Sequence, residues 1–238
     1  MVFIKIFQKG FNYSQDGPGN RLVYHMQGCN FRCKWCSNPE SMENVCKTTV
    51  NYSPEEIADE AKRCKMMFFD GGGVTFTGGE PTVQFEELFN TLHLLKKNEI
   101  HTAIETNGSC GRLTELLQFV DFLMIDIKHV DVEQHKQWTG AANLQTLNNI
   151  KEITKIGQQV LIRIPLIHGF NSGAHKEFAS FFKNLDTQNA AFELLPYHEY
   201  GKDKWERPYE IENGFVSKQE IDNFKEEFYK NGLKLVIT

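Results

Sequence analysis

Long apolar segments are absent from the sequence. No hydrophobic run approaches the about 20 residues that a membrane-spanning helix requires. The stretch Met1–Ile6 also lacks the extended apolar core and the small-residue cleavage site of a secretory signal peptide. Both absences argue against a membrane-embedded or exported protein, so we expect the chain to be cytoplasmic.

An excess of positive charge is absent as well. The 238 residues include 26 Lys and Arg against 31 Asp and Glu, which gives a formal net charge of −5. A chain with this balance has no overall electrostatic attraction for nucleic acid or for an anionic membrane. We therefore expect neither of them as a partner.

The cysteines do not form a disulfide framework, because the cytosol keeps thiols reduced and favours metal-binding or catalytic roles for them. Three of the 6 cysteines, Cys29, Cys33 and Cys36, lie close together in the sequence. The others are scattered, and no role is assigned to them: Cys46, Cys64 and Cys110. The spacing of the first three therefore indicates a site.

Signs of a second domain are missing, since the chain has no internal repeat, low-complexity tract or Pro/Ser-rich linker. We expect residues 1–238 to form a single domain. Six β-rich runs are predicted as buried strands: Leu22–Gln27, Val74–Thr77, His101–Glu105, Phe122–Ile127, Val160–Pro165 and Ala191–Leu195. Helices are predicted from a start at Ser53 and at Gln84–Asn98, Leu113–Phe119, Leu144–Ile156, Ala174–Asn184 and Ser217–Asn231.

This alternation of strands and helices predicts an α/β fold with a parallel sheet and right-handed crossovers. The pattern alone leaves open whether the sheet is doubly wound or barrel-like. Unusual residues follow the predicted strands: Gly28-Cys29, Thr77–Glu80, Thr106–Gly108, Asp126 with Lys128, His168-Gly169 and Pro196–His198. Because parallel α/β folds bind ligands at the carboxyl ends of their strands, we expect these residues to share one site.

The motif Cys29-Asn-Phe-Arg-Cys33-Lys-Trp-Cys36 places three thiolates on a tight loop. Cysteine sulfur is the preferred ligand of iron–sulfur clusters, and three cysteines can hold three corners of a cubane cluster. An iron without a protein ligand would be open to a substrate or cofactor. The alternative is a structural zinc site, in which His25 or Cys46 supplies the fourth ligand.

The Cys-x3-Cys-x2-Cys spacing, with Trp35 before the last cysteine, resembles the radical S-adenosylmethionine superfamily. Four further strings resemble its glycyl-radical-enzyme activating enzymes: Asp16-Gly-Pro-Gly19, Cys36-Ser-Asn-Pro-Glu40, Gly71–Pro81 and Leu194-Leu-Pro-Tyr-His198. The resemblance covers a core of about residues 16–205, on which we expect the N-terminal and C-terminal extensions to pack. Its implied fold is a partial (βα)6 barrel, with a parallel sheet and outer helices.

The resemblance also implies a function. In this family the three cysteines bind a [4Fe-4S] cluster, and S-adenosylmethionine binds its unique iron and is cleaved reductively to a 5′-deoxyadenosyl radical. The radical removes a hydrogen atom from a backbone glycine of a partner glycyl radical enzyme, here pyruvate formate-lyase or a relative. Flavodoxin or ferredoxin is the expected electron donor, and we expect a monomer.

The chain lacks the inserted ferredoxin-like segment that many family members carry after the triplet. In this it resembles the compact members, as does the run Tyr197–Trp205. The string Ser37–Ser41 is nevertheless closer to the insert-bearing relatives. The identity of the partner enzyme therefore stays open.

The resemblance assigns cofactor-binding roles residue by residue. The loop of Gly78, Gly79 and Glu80 would receive the methionine amino group, because glycines let a backbone approach a ligand closely. Lys128 would contact the methionine carboxylate. Further cofactor-binding positions are Trp35, Asn38, Glu105, Asp126, Arg163 and His198.

Residue chemistry supports some of these roles and leaves alternatives to others. Strand alternation puts Asp126 and Lys128 on the same side, where they fit either a zwitterionic ligand or a structural salt bridge. Arg163 lies within an apolar strand and needs a carboxylate partner. A lone histidine such as His198 is more often structural.

Glu105 and Asp126 are also candidate ligands of a monovalent cation. Glu105 begins a Glu-Thr-Asn-Gly segment that resembles the family's Asp-Thr-Asn-Gly, where the acid helps to hold such a cation. The longer side chain leaves the cation geometry open.

Two other functions compete with glycine activation. A radical S-adenosylmethionine enzyme that acts on a small molecule would share the triplet, but it would not need the Asp16–Gly19 and Leu194–Trp205 strings. A non-catalytic zinc or iron–sulfur protein would leave the Gly-rich loop, Lys128 and Arg163 without a purpose.

Overall fold

The computed structural model describes residues 3–236 of the chain. Its strands are β1 Ile4–Tyr13, β2 Asn20–Met26, β3 Val50–Tyr52, β4 Gly73–Gly78, β5 Thr102–Thr106, β6 Phe122–Asp126, β7 Val160–Leu166, β8 Ala190–Pro196 and β9 Leu235–Val236. Its α-helices are α1 Pro54–Arg63, α2 Phe85–Lys97, α3 Leu113–Leu116, α4 Val132–Thr139, α5 Leu144–Lys155, α6 His175–Lys183 and α7 Lys218–Lys230. The strand order of the open sheet is β3-β1-β2-β4-β5-β6-β7-β8-β9.

The predicted α/β fold is confirmed, and the sheet is mostly parallel and not closed. All six predicted strands form, as β2 and β4 to β8, and no end is shifted by more than two residues. One edge of the sheet is antiparallel, where β1 pairs with both β2 and β3.

Strands β1, β3 and β9 were not predicted. In β1, apolar alternation holds only for Ile4 and Ile6, a register shift follows between Ile6 and Gln8, and most later side chains are exposed. The other two strands have 3 and 2 residues, too short for a periodic signal.

The predicted helix starts have the expected physical basis. Ser53 and Ser217 each accept a hydrogen bond from the backbone of the residue three positions later, and the glutamate there caps the serine backbone in return. Helix α4 was missed, although Asp131 caps its start and Gly140 ends it in the left-handed conformation. None of the helices within residues 3–236 combines the length and apolar character needed to cross a bilayer.

The chain forms two compact units. The first unit contains residues 3–30, Glu40–Thr106 and Arg112–Met124. The second contains Phe31–Pro39, Asn107–Gly111 and residues 125–236. The expectation of a single domain stays a prediction.

In the first unit, the buried Arg21 fastens the loop that precedes β2. Its Nε donates to Thr75 Oγ1 at 2.6 Å, and its Nη atoms donate to the carbonyls of Pro18 at 3.0 Å and Val74 at 2.8 Å. Thr75 Oγ1 in turn donates to the carbonyl of Asp16 at 2.7 Å. Burial lowers the pKa of Arg21 to about 10, so the side chain stays charged at neutral pH.

The core of the second unit is aromatic. Phe182 of α6 lies edge-on to Phe192 of β8, with ring centroids 4.6 Å apart, and Phe228 of α7 lies edge-on to Phe192 at 5.4 Å. All three rings are fully buried. This packing fixes α6 and α7 against the strand whose end leads to His198.

Arg21→Met should destabilise the protein by about 3 kcal/mol, because the buried carbonyls and the Thr75 hydroxyl would lose a charged donor. Urea unfolding under anaerobic conditions measures the change. Arg63→Met, at an exposed position, is the matched control and should change the free energy of unfolding by less than about 0.5 kcal/mol. Equal stabilities for the two variants would contradict this role of Arg21.

Candidate functional site

In the first unit, the Gly-rich loop after β4 lies directly against the residues that precede Cys29. The backbone N–H of Gly79 donates to the carbonyl of Met26 at 2.9 Å, and the N–H of Glu80 donates to the carbonyl of Gly28 at 2.8 Å. Two sequence-predicted elements, the start of the cysteine loop and the Gly-rich loop, are thus joined through their backbones.

The close contact between the two backbones requires both glycines of this loop. A Cβ atom on Gly78 would lie 2.5 Å from the backbone N of Met26, and Gly78 has a φ of +109°. A Cβ atom on Gly79 would lie 2.2 Å from the carbonyl oxygen of Gly28. The glycines were predicted to let a ligand approach, whereas in the structure they let the two backbones pack together; their ligand role stays a prediction.

Glu80 is buried and organises the same loop. Its Oε1 accepts hydrogen bonds from the backbone N of Thr82 at 3.0 Å and from Thr106 Oγ1 at 2.7 Å. It also caps the short 3-10 helix Pro81–Gln84. The carboxylate therefore ties the loop after β4 to the end of β5, while contact with a cofactor remains a prediction.

Glu105 lies on β5, beside the end of β4. Its Oε2 accepts a hydrogen bond from Thr77 Oγ1 at 2.9 Å, and the side chain is partly exposed. This contact sets the direction of the carboxylate within the first unit. Cation binding by Glu105 stays a prediction.

In the second unit, the cysteine loop pairs with the end of helix α4. The N–H of Arg32 donates to the carbonyl of Thr139 at 2.6 Å, and the N–H of Lys34 donates to the carbonyl of Trp138 at 3.1 Å. Carbonyls at a helix end have no partner within the helix, so the loop supplies one.

The sulfur of Cys36 is a hydrogen-bond acceptor. Asn38 donates its backbone N–H to Cys36 Sγ at 3.4 Å, and the N–H of Cys36 donates to the carbonyl of Cys33 at 3.2 Å. Cys33 is buried, and Cys29 and Cys36 are partly exposed. A hydrogen bond to sulfur favours the thiolate, which is the form that ligates metal.

An aromatic cluster also packs against the loop. The Trp35 ring packs against Phe170 with centroids 5.1 Å apart, and Phe170 stacks on Trp138 at 4.9 Å. Phe31 lies edge-on to His135 at 5.1 Å. Trp35 thus has a packing role, and its cofactor contact stays a prediction.

Asp126 and Lys128 lie together, as strand alternation predicted. Lys128 Nζ and Asp126 Oδ2 are 2.9 Å apart, and the side chains are only 10% and 18% exposed. The other oxygen, Asp126 Oδ1, is buried and accepts no hydrogen bond from residues 3–236. A buried acceptor without a donor is costly, so this oxygen is suited to a cation or a bound N–H group.

Arg163 has the carboxylate partner that its position in an apolar strand requires. Its Nε donates to Glu193 Oε2 at 2.7 Å, across the paired strands β7 and β8. Both residues are buried. A structural ion pair accounts for this contact, and cofactor binding by Arg163 stays a prediction.

His198 follows β8 and is exposed. Its ring stacks on Tyr200 with centroids 4.3 Å apart, and its Nδ1 accepts the N–H of Tyr200 at 3.4 Å. Desolvation by its neighbours lowers the pKa of His198, which favours the neutral ring. Because Nδ1 accepts this hydrogen bond, the neutral ring carries its proton on Nε2, which can donate to a ribose oxygen.

Two supporting residues were not predicted from the sequence. Asn171 is fully buried, and its Nδ2 donates to the carbonyls of Lys128 and Pro165, both at 2.7 Å. His135 on α4 is buried and contacts the carbonyl of Ala141 at 2.6 Å through Nδ1. The caps of α4 could have revealed the element that carries His135, whereas no local pattern marks Asn171.

The three clustered cysteines fit an iron–sulfur cluster in their chemistry. All six cysteines keep their thiols, and Cys36 already has an N–H donor aimed at its sulfur. Among residues 3–236, no group of three or more His, Cys, Asp and Glu side chains is placed to hold a single metal ion.

Comparison with known proteins is consistent across sequence and structure. Residues 23–182 match the model of the radical SAM superfamily. A pyruvate formate-lyase-activating enzyme of Staphylococcus aureus is 34% identical over 212 residues, which cover 83% of this chain and 84% of that enzyme.

Solved structures give the same result. A domain of a pyruvate-formate lyase-activating enzyme from Bacteroides vulgatus is 30% identical, with a TM-score of 0.60, over 71% of this chain and 99% of that domain. SuiB of Streptococcus suis, solved with S-adenosylmethionine, is 16% identical with a TM-score of 0.70, over 90% of this chain and 49% of SuiB. The likeness to SuiB concerns the fold alone.

Gly79→Ala should destabilise the protein by about 1–3 kcal/mol, because the added methyl group would overlap the carbonyl of Gly28 and push the two loops apart. Gly10→Ala is the matched control, since a Cβ atom there meets nothing within 4 Å. Urea unfolding of both variants measures the difference. A Gly79→Ala protein as stable as Gly10→Ala would refute the packing explanation.

His135 should make stability depend on pH. Desolvation is the main reason that the pKa of His135 falls to about 4, whereas a histidine in the unfolded chain titrates near 6.5. Between these values the unfolded chain binds more protons, so acidification weakens the fold. The contribution of His135 to the free energy of unfolding should fall by about 3 kcal/mol from pH 7 to pH 4.

Unfolding of the wild type and His135→Gln at several pH values measures this contribution. The variant should lose less stability than the wild type across the window. His93→Gln removes an exposed histidine and should follow the wild type. Parallel pH curves for the wild type and His135→Gln would show that His135 does not titrate as described.

Proposed function

Because the chain belongs to the radical S-adenosylmethionine superfamily and, within it, to the family of pyruvate formate-lyase-activating enzymes, we propose that it activates a glycyl radical enzyme. Family membership implies a [4Fe-4S] cluster and S-adenosylmethionine as cofactors. When bound, they supply a 5′-deoxyadenosyl radical, formed by reductive cleavage, that abstracts hydrogen from a backbone glycine of the partner.

Cys29, Cys33 and Cys36 would ligate the cluster. One observation carries this assignment: the backbone of the Gly-rich loop is hydrogen-bonded to the backbone of the residues before Cys29. A plain turn would need neither glycine, whereas here both keep the loop against the start of the cysteine motif. The fold of the first unit therefore holds the start of the cysteine motif, with its candidate thiolate ligand, against the candidate ligand-binding loop.

The remaining cofactor contacts are proposed residue by residue. In the first unit, the backbone of Gly78 and Gly79 and the carboxylate of Glu80 would receive the methionine amino group. Glu105 would orient a cation or the cofactor through the carboxylate that Thr77 holds.

In the second unit, Lys128 would bind the methionine carboxylate and Asp126 Oδ1 would accept a cation or an N–H group. Arg163 would add positive charge near the same carboxylate. His198 would donate a hydrogen bond from Nε2 to a ribose oxygen. Trp35 and Asn38 would line the cofactor next to the cysteines.

The partner is proposed to be pyruvate formate-lyase or a relative that carries a glycyl radical. Flavodoxin or ferredoxin would supply the electron, because the three other cysteines are scattered in the sequence and cannot build a second cubane relay. We further propose that the protein is a cytoplasmic monomer.

Anaerobic reconstitution followed by electron paramagnetic resonance tests the function. The reduced protein should form 5′-deoxyadenosine from S-adenosylmethionine, and a protein radical should appear when the correct glycyl radical enzyme of the same organism is added. Cys33→Ala should abolish both signals, because a cluster cannot keep three protein ligands without that thiolate. Cys64→Ala, outside the motif, is the matched control and should keep both.

Failure of the reduced wild type to form 5′-deoxyadenosine would overturn the proposal. Formation of 5′-deoxyadenosine without a protein radical on any candidate would favour a small-molecule substrate. Activity in Cys33→Ala would refute the assignment of the cluster ligands.

A further inference from the structure

The run that ends at Trp205 contacts the cysteine loop within the second unit. Trp205 Nε1 donates to the carbonyl oxygen of Cys36 at 3.0 Å. Lys204 Nζ donates to Asn38 Oδ1 at 3.1 Å. Two neighbouring residues of the run therefore hold two positions of the loop on either side of Ser37.

Ser37 is contacted by the same run. A Cβ atom on Gly201 would lie 2.3 Å from the Cα of Ser37, so only glycine allows the two backbones to touch. The short 3-10 helix Lys202–Lys204 then turns the chain from Gly201 to Trp205. Residues 36, 37 and 38 are therefore each contacted by one residue of a single turn, 201–205.

The turn is itself anchored to the sheet. Trp205 lies edge-on to Tyr209 with centroids 5.5 Å apart, and the Tyr209 hydroxyl is 2.8 Å from the Tyr197 hydroxyl. The N–H of Tyr197, just after β8, donates to the carbonyl of Leu166 at the end of β7, at 2.9 Å. The indole of Trp205 is therefore a fixed donor, because its ring is held by a chain of contacts that ends on two strands.

The hydrogen bond to the Cys36 carbonyl has a consequence for the sulfur. Asn38 donates its backbone N–H to Cys36 Sγ at 3.4 Å, and this geometry requires the peptide groups from 36 to 38 to keep their orientation. Trp205 fixes the first of these groups and Lys204 fixes the side chain of the last. Hydrogen bonds to the sulfurs and burial set the reduction potential of an iron–sulfur cluster.

We propose that Trp205 is a positioning residue for Cys36, which holds its backbone so that the N–H···S hydrogen bond forms and the reduced cluster is stabilised. The inference rests on the proposed function, since it takes Cys36 as a cluster ligand. It gives the turn 201–205 a role in cluster chemistry, in addition to covering the loop. Reduction adds negative charge to a cluster, so a donor aimed at sulfur favours the reduced state.

Trp205→Phe removes the indole N–H and keeps an aromatic ring against Tyr209. In the anaerobically reconstituted protein, the midpoint potential of the cluster should shift to a more negative value, as measured by redox titration with electron paramagnetic resonance. A chelator should remove the cluster roughly 3- to 10-fold faster, the factor expected for one lost hydrogen bond. Lys204→Met, which removes the contact to Asn38, should shift both readouts in the same direction by less.

Lys202→Ala is the matched control, because Lys202 lies in the same turn and pairs with Glu199 at 3.1 Å. Its cluster should match the wild type in potential and in chelation rate. Wild-type values for both Trp205→Phe and Lys204→Met would overturn the proposal, as would equal shifts in Lys202→Ala. A wild-type protein that binds no cluster would overturn the proposed function itself, which is a different result.

Discussion

The close backbone contact between the Gly-rich loop and the end of β2 is the constraint on which the first half of the site depends. Gly79 and Glu80 donate to the carbonyls of Met26 and Gly28, and no side chain larger than hydrogen fits at Gly79. Because Cys29 follows Gly28 directly, its position is set by the same contact. Backbone N–H and C=O groups have no rotatable side chain between them and the main chain, so hydrogen bonds between them suit a loop that must present a ligand in one orientation.

The second half of the cysteine motif is held differently. Two carbonyls at the end of α4 accept N–H groups of Arg32 and Lys34, and the ring of Trp35 packs on Phe170. A helix end offers carbonyls that the helix cannot satisfy, which lets it serve as a template for an irregular loop. Each compact unit therefore has its own means of fixing the part of the motif that it contains.

The sequence predicted the fold class and the six buried strands, because such strands between amphipathic helices leave a clear periodic pattern. It also placed Asp126 beside Lys128, since alternation is a local property. The template for the cysteine loop was missed, because α4 shows only its caps, Asp131 and Gly140, and lacks a strong apolar stripe. The hydrogen bond from Asn171 to the Lys128 carbonyl joins residues 43 positions apart, so no short sequence motif could predict it.

The buried charged residues differ in how many partners their charged groups have. This difference separates the supporting residues from those suited to bind a ligand. Arg163 and Glu193 form a direct ion pair, and Glu80 accepts from two threonines, so these groups already have part of what a buried charge needs. Asp126 differs, because Lys128 contacts one carboxylate oxygen and the other is buried without a donor among residues 3–236. A protein tolerates such an oxygen where a bound group completes it. The electrostatics of the second unit therefore favour Asp126 Oδ1 as the point at which a cation or a cofactor N–H would bind.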